Sequence, residues 1–161
     1  MKYFKAPWGW TLILVSAFAS VALLAVSVVG FTTLSHQHLA GALLMVAAPL
    51  VILLGCALFT VRGYSLGQGL LLVHRLLWAT PLPLAGLQAA SYEPNAMRWS
   101  LRTFGNGGFF SFSGFYRNRR LGSYRAFVTD LKRTVVLRFP SRTIVVSPEV
   151  PEQFVHELVV A

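Results

Sequence analysis

The feature that most constrains the fold is a long stretch without charge, because residues 6–61 contain no Lys, Arg, Asp or Glu. Within it, residues 8–34 and 39–61 each exceed the roughly 20 apolar residues with which a helix crosses a bilayer. Residues 35–38 between them are polar and about as long as a tight helix connection. Because backbone groups in hydrocarbon must be paired within one segment, we predict an antiparallel transmembrane hairpin. A buried hairpin of a soluble protein is the weaker alternative.

The positions of the cations predict the orientation of this hairpin. Lys2 and Lys5 precede the first span, Arg62 and Arg75 follow the second, and the connecting loop has no Lys or Arg. Since cytoplasmic loops carry the excess of Lys and Arg, both termini are expected in the cytoplasm. A cleaved signal peptide is the alternative for the first span. Its apolar run is longer than the 7 to 15 residues of such a peptide, which favours an uncleaved helix.

The rest of the chain is strongly basic. Residues 98–142 contain ten Lys or Arg and a single acid, Asp130. Such an excess indicates an anionic partner, and the nearest is the cytoplasmic leaflet, which attracts each nearby basic residue by about 1 kcal/mol. Nucleic acid is the second and weaker candidate. The candidate contacts with an anionic surface or a partner are Arg117, Arg119, Arg120, Arg125, Lys132 and Arg133. A solvated basic loop that aids solubility is an equal alternative for the first three.

From residue 63 onward, short apolar runs broken by Gly and Pro predict mainly β structure. We divide the chain into a hairpin, residues 1–62, and a β domain, residues 63–161. Strands are predicted at residues 64–66, 69–74, 76–79, 97–103, 109–115, 123–129, 134–139 and 143–147. Residues 82–90 are ambiguous between an edge strand and a helical turn. We expect the strands from residue 97 onward to form successive hairpins, a meander, and an amphipathic helix after Pro148 to cap an open barrel end.

Two turns and one strand face are specific expectations within this domain. Residues 67–69 predict the first turn, and Gly105, Asn106, Gly107 and Gly108 predict a tight reversal because they tolerate positive φ. The glycine cluster is not followed by the Lys and helix of a phosphate-binding loop. Alternation in residues 97–103 is expected to place Met97, Trp99 and Leu101 on one strand face.

The sequence offers little for catalysis or metal binding. His36 and His38 form a pair in the connecting loop, but no acid or further histidine lies close to them in sequence, and their role stays open. Cys56 is the only cysteine, so an intramolecular disulfide is excluded. The five acids show no paired-carboxylate arrangement. We therefore predict no catalytic residue, no metal and no cofactor.

Three segments resemble the bacterial pleckstrin-homology-like (PH) domains. They are GNGGFF at residues 105–110, GSYRAFVTD at 122–130 and TIVVSPE at 143–149, and the resemblance extends over about residues 64–160. Such domains often follow two membrane spans. The resemblance implies a two-sheet, partly closed, mainly β split barrel capped by a C-terminal helix and used as a binding and assembly module. With the predicted two-helix transmembrane hairpin before it, the expected fold class is an α+β membrane protein. Phosphoinositide-binding members carry Lys and Arg in the first strand turn, here residues 67–69 without any, so no lipid-binding residues are carried over.

Together these observations predict a non-enzymatic module in the bacterial inner membrane that mediates protein–protein interaction or self-assembly at the cytoplasmic face. Its expected partners are the bilayer and an unidentified protein or a second copy of the chain. Binding of anionic lipid headgroups, or another polyanion, through residues 98–142 is the alternative. An enzyme or transporter subunit is a third hypothesis, disfavoured because neither span contains an acidic or basic side chain.

Overall fold

The computed structural model describes residues 1–34 and 38–160. Two long helices, α1 (Trp10–Leu34) and α2 (Leu39–Leu58), run side by side as a hairpin. Both are long and apolar enough to cross a membrane. A mainly β region follows, and a helix, α3 (Pro151–Val160), ends the described chain. The predicted fold class is therefore confirmed: two apolar helices, then β sheets, then one C-terminal helix.

A short strand that the sequence did not predict precedes the hairpin. Strand β1 (Lys2–Lys5) pairs antiparallel with β2 (Gly63–Gly67), which follows the hairpin. The pairing continues beyond the strand, where Ala6 N donates to Arg62 O (3.1 Å). Residues on both sides of the helices therefore belong to one sheet, whereas the sequence-based division assigned residues 1–62 to the hairpin alone.

The strands form two sheets. The first has four antiparallel strands in the order β1-β2-β3-β4. The second has six in the order β5-β9-β10-β8-β7-β6. The remaining strands are β3 (Leu70–His74), β4 (Ala79–Pro83), β5 (Ala89–Tyr92), β6 (Leu101–Gly107), β7 (Phe112–Asn118), β8 (Gly122–Val128), β9 (Val135–Arg138) and β10 (Thr143–Val146).

The main core lies between the two sheets and under α3. Tyr64 and Val73 of the small sheet, Phe127 and Ile144 of the large sheet and Phe154 of α3 are all buried in one cluster. This arrangement follows from alternation, because every second residue of each strand faces the opposite sheet. A second cluster on the other face of the large sheet includes Tyr124 and Val145 and lies under the connection from β5 to β6. The C-terminal helix thus closes the space between the sheets.

The predicted meander is wrong at one step. Strand β10 lies between β9 and β8 and pairs with β8 in parallel. After β8 the chain forms a 3-10 turn at Leu131–Arg133, in which the Asp130 side chain accepts a hydrogen bond from Lys132 N (2.9 Å). The next strand, β9, therefore lies on the opposite side of β10 from β8. Alternation assigns residues to faces but carries no information about which strand is the neighbour.

The glycine-rich reversal lies further along the chain than predicted. Strand β6 continues through Gly107, and the chain reverses at residues 108–110. Gly105 and Gly114 face each other inside the hairpin with φ of 109° and 139°. A Cβ on either residue would lie 2.4 Å or less from a backbone oxygen of the other strand. These glycines are needed because the two strands approach closely, and not because the turn lies there.

Two further strand predictions were wrong. Residues 76–78 lie in the turn between β3 and β4, which begins at Ala79 and is an edge strand that contains Pro81 and Pro83. Edge positions tolerate proline because its nitrogen has no ladder partner to lose. Residues 97–99 belong to a turn before β6. Consequently Met97 is buried while Trp99 and Leu101 are exposed, and the predicted common face does not exist.

Candidate interaction surfaces

The basic residues of the β7–β8 turn lie at one end of the large sheet. Asn118 shapes this turn, because its Oδ1 accepts hydrogen bonds from Arg120 N (3.1 Å) and Leu121 N (2.7 Å). Arg117 and Arg119 are exposed there, and no carboxylate of the described residues lies within ion-pair distance of them. These residues form the basic tip of the molecule.

Arg120 differs from its neighbours because it is paired. Its Nη2 lies 3.0 Å from Glu93 Oε2, and Arg138 Nη2 lies 3.0 Å from Glu93 Oε1. Burial acts to raise the pKa of Glu93, but the hydrogen bonds from Ser91 and Arg138 and the charge of Arg120 hold it below its ordinary value. Glu93 is therefore ionised at neutral pH and neutralises part of the predicted basic surface.

An exposed aromatic and an exposed edge strand lie beside the basic tip. Trp99 is 86% exposed and adopts φ of 57°, a conformation that a bulky residue rarely takes. The guanidinium of Arg98 lies 5.6 Å from its ring centroid. Leu101 opens strand β6, which pairs only with β7 in the described sheet, and is 76% exposed. We call Arg98, Trp99, Leu101, Arg117 and Arg119 the distal surface.

A bulge in β6 extends the apolar character of this edge. The register shifts between Arg102 and Phe104, so that Leu101 lies opposite Arg117 and Phe104 opposite Phe115. Cross-strand partners share a face, and the extra residue therefore places Leu101 and Phe104 on the same side of the sheet. The sequence missed this because simple alternation would place Leu101 and Phe104 on opposite sides.

The loop between β6 and β7 attaches the β domain to the hairpin. Ser16 is buried in α1, where its hydroxyl donates to Gly108 O (3.3 Å) and accepts a hydrogen bond from Phe110 N (2.9 Å). The ring of Trp8 packs edge-on against Phe110 at 5.9 Å. Gly9 N also donates to Thr129 O (2.9 Å), at the end of β8. The start of α1 is thus fixed to the ends of three strands.

The remaining predicted residues do not join the basic tip. Lys132 and Arg133 lie in the 3-10 turn after β8, where Arg133 Nε is 3.5 Å from Asp130 and its Nη1 donates to Glu149 O (2.7 Å). Arg125 lies in β8 on the face toward the small sheet, opposite Phe115. The six candidate basic residues therefore occupy three separate places, which sequence separation alone could not reveal.

Arg125 borders a cavity of about 620 Å³ between α2 and the large sheet. Ile52, Gly55 and Phe59 line the α2 side, and Phe104 and Phe115 line the β side. Arg75, in the turn after β3, also lines the cavity and is only 9% exposed. Burial, followed by the nearby charge of Arg125, lowers the pKa of Arg75 below its ordinary value. From the sequence, Arg75 indicated only the orientation of the hairpin.

Over residues 1–34 and 38–160 no cluster of three or more His, Cys, Asp or Glu is arranged to hold a metal ion. His36 lies outside the described residues, and His38 is exposed beside the start of α2. Cys56 is a free cysteine. The candidate binding features of the described residues are therefore the exposed apolar edge, the basic tip and the arginine-lined cavity.

Comparison with known protein families gives a match. The family model described as the bacterial PH domain matches residues 62–161, which includes every strand after the hairpin and the final helix. No curated protein and no solved structure matches the chain significantly.

Proposed function

Because this chain belongs to the bacterial PH domain family, we propose that it is a membrane-anchored, non-enzymatic module that binds a protein partner or a second copy of itself at the cytoplasmic face. The family supports a binding role and leaves open what is bound.

The exposure of the helices supports insertion in a membrane. Large apolar side chains are exposed along both α1 and α2, among them Phe18, Val21, Leu44, Val51 and Leu54. A core helix of a soluble protein would bury such a face, and soluble proteins rarely expose contiguous apolar patches of this size. Pairing of β1 with β2 also argues against a cleaved signal peptide, because cleavage would remove a strand of the sheet.

The same pairing supports the proposed topology. Because β1 and β2 are hydrogen-bonded neighbours, the chain enters and leaves the hairpin on one side. Lys2, Lys5, Arg62 and Arg75 are all on that side, which the positive-inside rule assigns to the cytoplasm. We therefore place both termini and the β domain at the cytoplasmic face of the bacterial inner membrane.

The observation that carries the docking proposal is the exposed apolar edge at Trp99 and Leu101. An open edge strand offers unpaired backbone groups to another chain, and exposed aromatic residues are enriched at the centres of interfaces. The strained φ of Trp99 is maintained although its ring contributes little to the core, which is typical of functional positions. Arg98 and Arg119 beside it favour an acidic segment of a partner.

Distance along the sheet argues against the leaflet as the partner of the basic tip. The β6–β7 loop contacts α1, and the tip lies at the other end of β7, Phe112–Asn118. Six residue steps of a strand span about 20 Å at roughly 3.3 Å each. Charges are screened over about 8 Å at physiological ionic strength. Arg117 and Arg119 are thus better placed for a protein than for headgroups.

The test is co-purification of the tagged full-length chain from membranes in mild detergent after chemical cross-linking. We expect a specific protein partner, or a cross-linked homodimer, that is reduced about tenfold in the double variant Trp99→Ser, Leu101→Ser. The control is Val159→Ser, which removes an exposed apolar side chain from α3. Equal recovery of the same partners from both variants would show that this edge is not the docking surface.

Anionic lipid binding is the second candidate function. One specific observation favours it, namely that Arg75 and Arg125 both line the cavity beside α2.

A further inference from the structure

We propose that the cavity between α2 and the large sheet binds one anionic glycerophospholipid, with the phosphate at Arg75 and Arg125 and part of an acyl chain against the last turns of α2. The proposal rests on the membrane placement argued above and is independent of the docking surface. The volume of the cavity, about 620 Å³, is within the range of small-molecule sites, roughly 300 to 1,000 Å³.

The two arginines form a cationic centre without an acidic neighbour. Their guanidinium carbons lie 5.4 Å (Arg75) and 4.8 Å (Arg125) from the centroid of the same ring, Phe127. Among residues 1–34 and 38–160, no carboxylate lies within ion-pair distance of either. Two like charges held together beside apolar walls disfavour their own ionised forms, and a bound anion relieves this cost.

Arg75 is also oriented for a ligand. Its Nη1 donates to Phe59 O (2.7 Å) and its Nε lies 3.4 Å from Thr80 Oγ1, which fixes the plane of the guanidinium. The contacts found in the described part of the chain leave Nη2 available, and a guanidinium fork matches the oxygens of a phosphate.

The apolar part of the cavity indicates a lipid as the source of the phosphate. Ile52 and Gly55 belong to the last two turns of α2, within the proposed span, and Phe104 faces them from β6. A Cβ at Gly55 would meet nothing within 4 Å, so the helix leaves open space on this side. Free phosphate would leave these apolar walls in contact with water, whereas a phospholipid covers them with its glycerol and first acyl carbons.

The test measures phospholipid that stays bound to the tagged full-length chain through purification in mild detergent. Mass spectrometry should find about one anionic phospholipid per wild-type chain. Arg125→Gln, which removes a charge, and Gly55→Phe, which fills the space, should each reduce this about tenfold, equivalent to 1.4 kcal/mol of binding free energy. The matched control is Arg119→Gln, which removes the same charge at the basic tip and should retain the lipid.

A second measurement separates lipid from free phosphate. After delipidation, phosphatidylglycerol in the micelle should raise the melting temperature of the wild type and of Arg119→Gln but not of Arg125→Gln, and phosphatidylcholine or sodium phosphate should raise it less. Equal lipid retention by all variants, or equal stabilisation by sodium phosphate, would overturn the proposal. If the chain is absent from the membrane fraction, the proposed function fails; if it is membrane-bound without lipid, only this inference fails.

Discussion

At the scale of single residues, two buried hydroxyl groups join the sheets. Tyr64 on β2 donates its hydroxyl hydrogen to Phe127 O (2.6 Å) and accepts a hydrogen bond from Ser147 N (3.1 Å). Ser147 Oγ accepts hydrogen bonds from Thr129 N (2.8 Å) and Asp130 N (3.2 Å). Burial raises the pKa of Tyr64 to about 12, although its hydrogen bonds with Ser147 oppose the shift. The phenol thus stays a neutral donor at physiological pH.

We predict that Tyr64→Phe lowers the free energy of unfolding by about 1 to 3 kcal/mol, because a buried N–H and a buried C=O lose their partner. The measurement is denaturant unfolding of the full-length chain in detergent. Tyr3→Phe is the matched control, since it removes an exposed hydroxyl that donates to Arg62 O (3.1 Å). A loss in Tyr64→Phe no larger than in Tyr3→Phe would show that the network does not couple the sheets.

At the scale of elements, the sequence predicted those that depend on local patterns. The first hairpin with its turn at residues 67–69, strands β8, β9 and β10, and helix α3 lie within a few residues of their predicted places. Strand β1 could not be predicted, because four residues before a span look like a membrane-interface segment until their partner is known. The same holds for the parallel β8–β10 pair, which depends on a long-range crossing.

Strand β1 leads to a prediction about stability. Phe4 is buried and packs edge-on against Phe154 of α3 at 5.1 Å, while Lys2 Nζ lies 2.7 Å from Glu157 Oε1. We expect Phe4→Ala to lower the free energy of unfolding of the full-length chain by about 3 to 5 kcal/mol, as for a buried core phenylalanine.

Hydrogen exchange should show where this loss acts, with faster exchange in α3 and β2 in Phe4→Ala. Val159→Ala, at an exposed position of α3, should change the unfolding free energy by no more than about 0.5 kcal/mol. If Phe4→Ala leaves the exchange of α3 unchanged, the residues before the hairpin are not part of the β domain.

At the scale of the whole molecule, the helical hairpin is inserted between two neighbouring strands of one sheet. A charge-free run was enough to predict the two helices, because length and apolar composition are what identify a candidate membrane-spanning helix. The candidate site was not predictable to the same degree. Composition indicated a basic surface, but the fold distributes the basic residues among the basic tip, the turn after β8 and the cavity beside α2. Only the three-dimensional neighbours of each arginine distinguish these roles.

The central claim is that the hairpin crosses a membrane with the N-terminal strand and the β domain on one side. Labelling of single cysteines with a membrane-impermeant maleimide, in a Cys56→Ala background, tests it most directly. Lys2→Cys and Arg119→Cys should react only in inside-out vesicles, and His38→Cys only in right-side-out vesicles or intact spheroplasts. Labelling of His38→Cys and Arg119→Cys from the same side, or of Lys2→Cys and Arg119→Cys from opposite sides, would contradict the account.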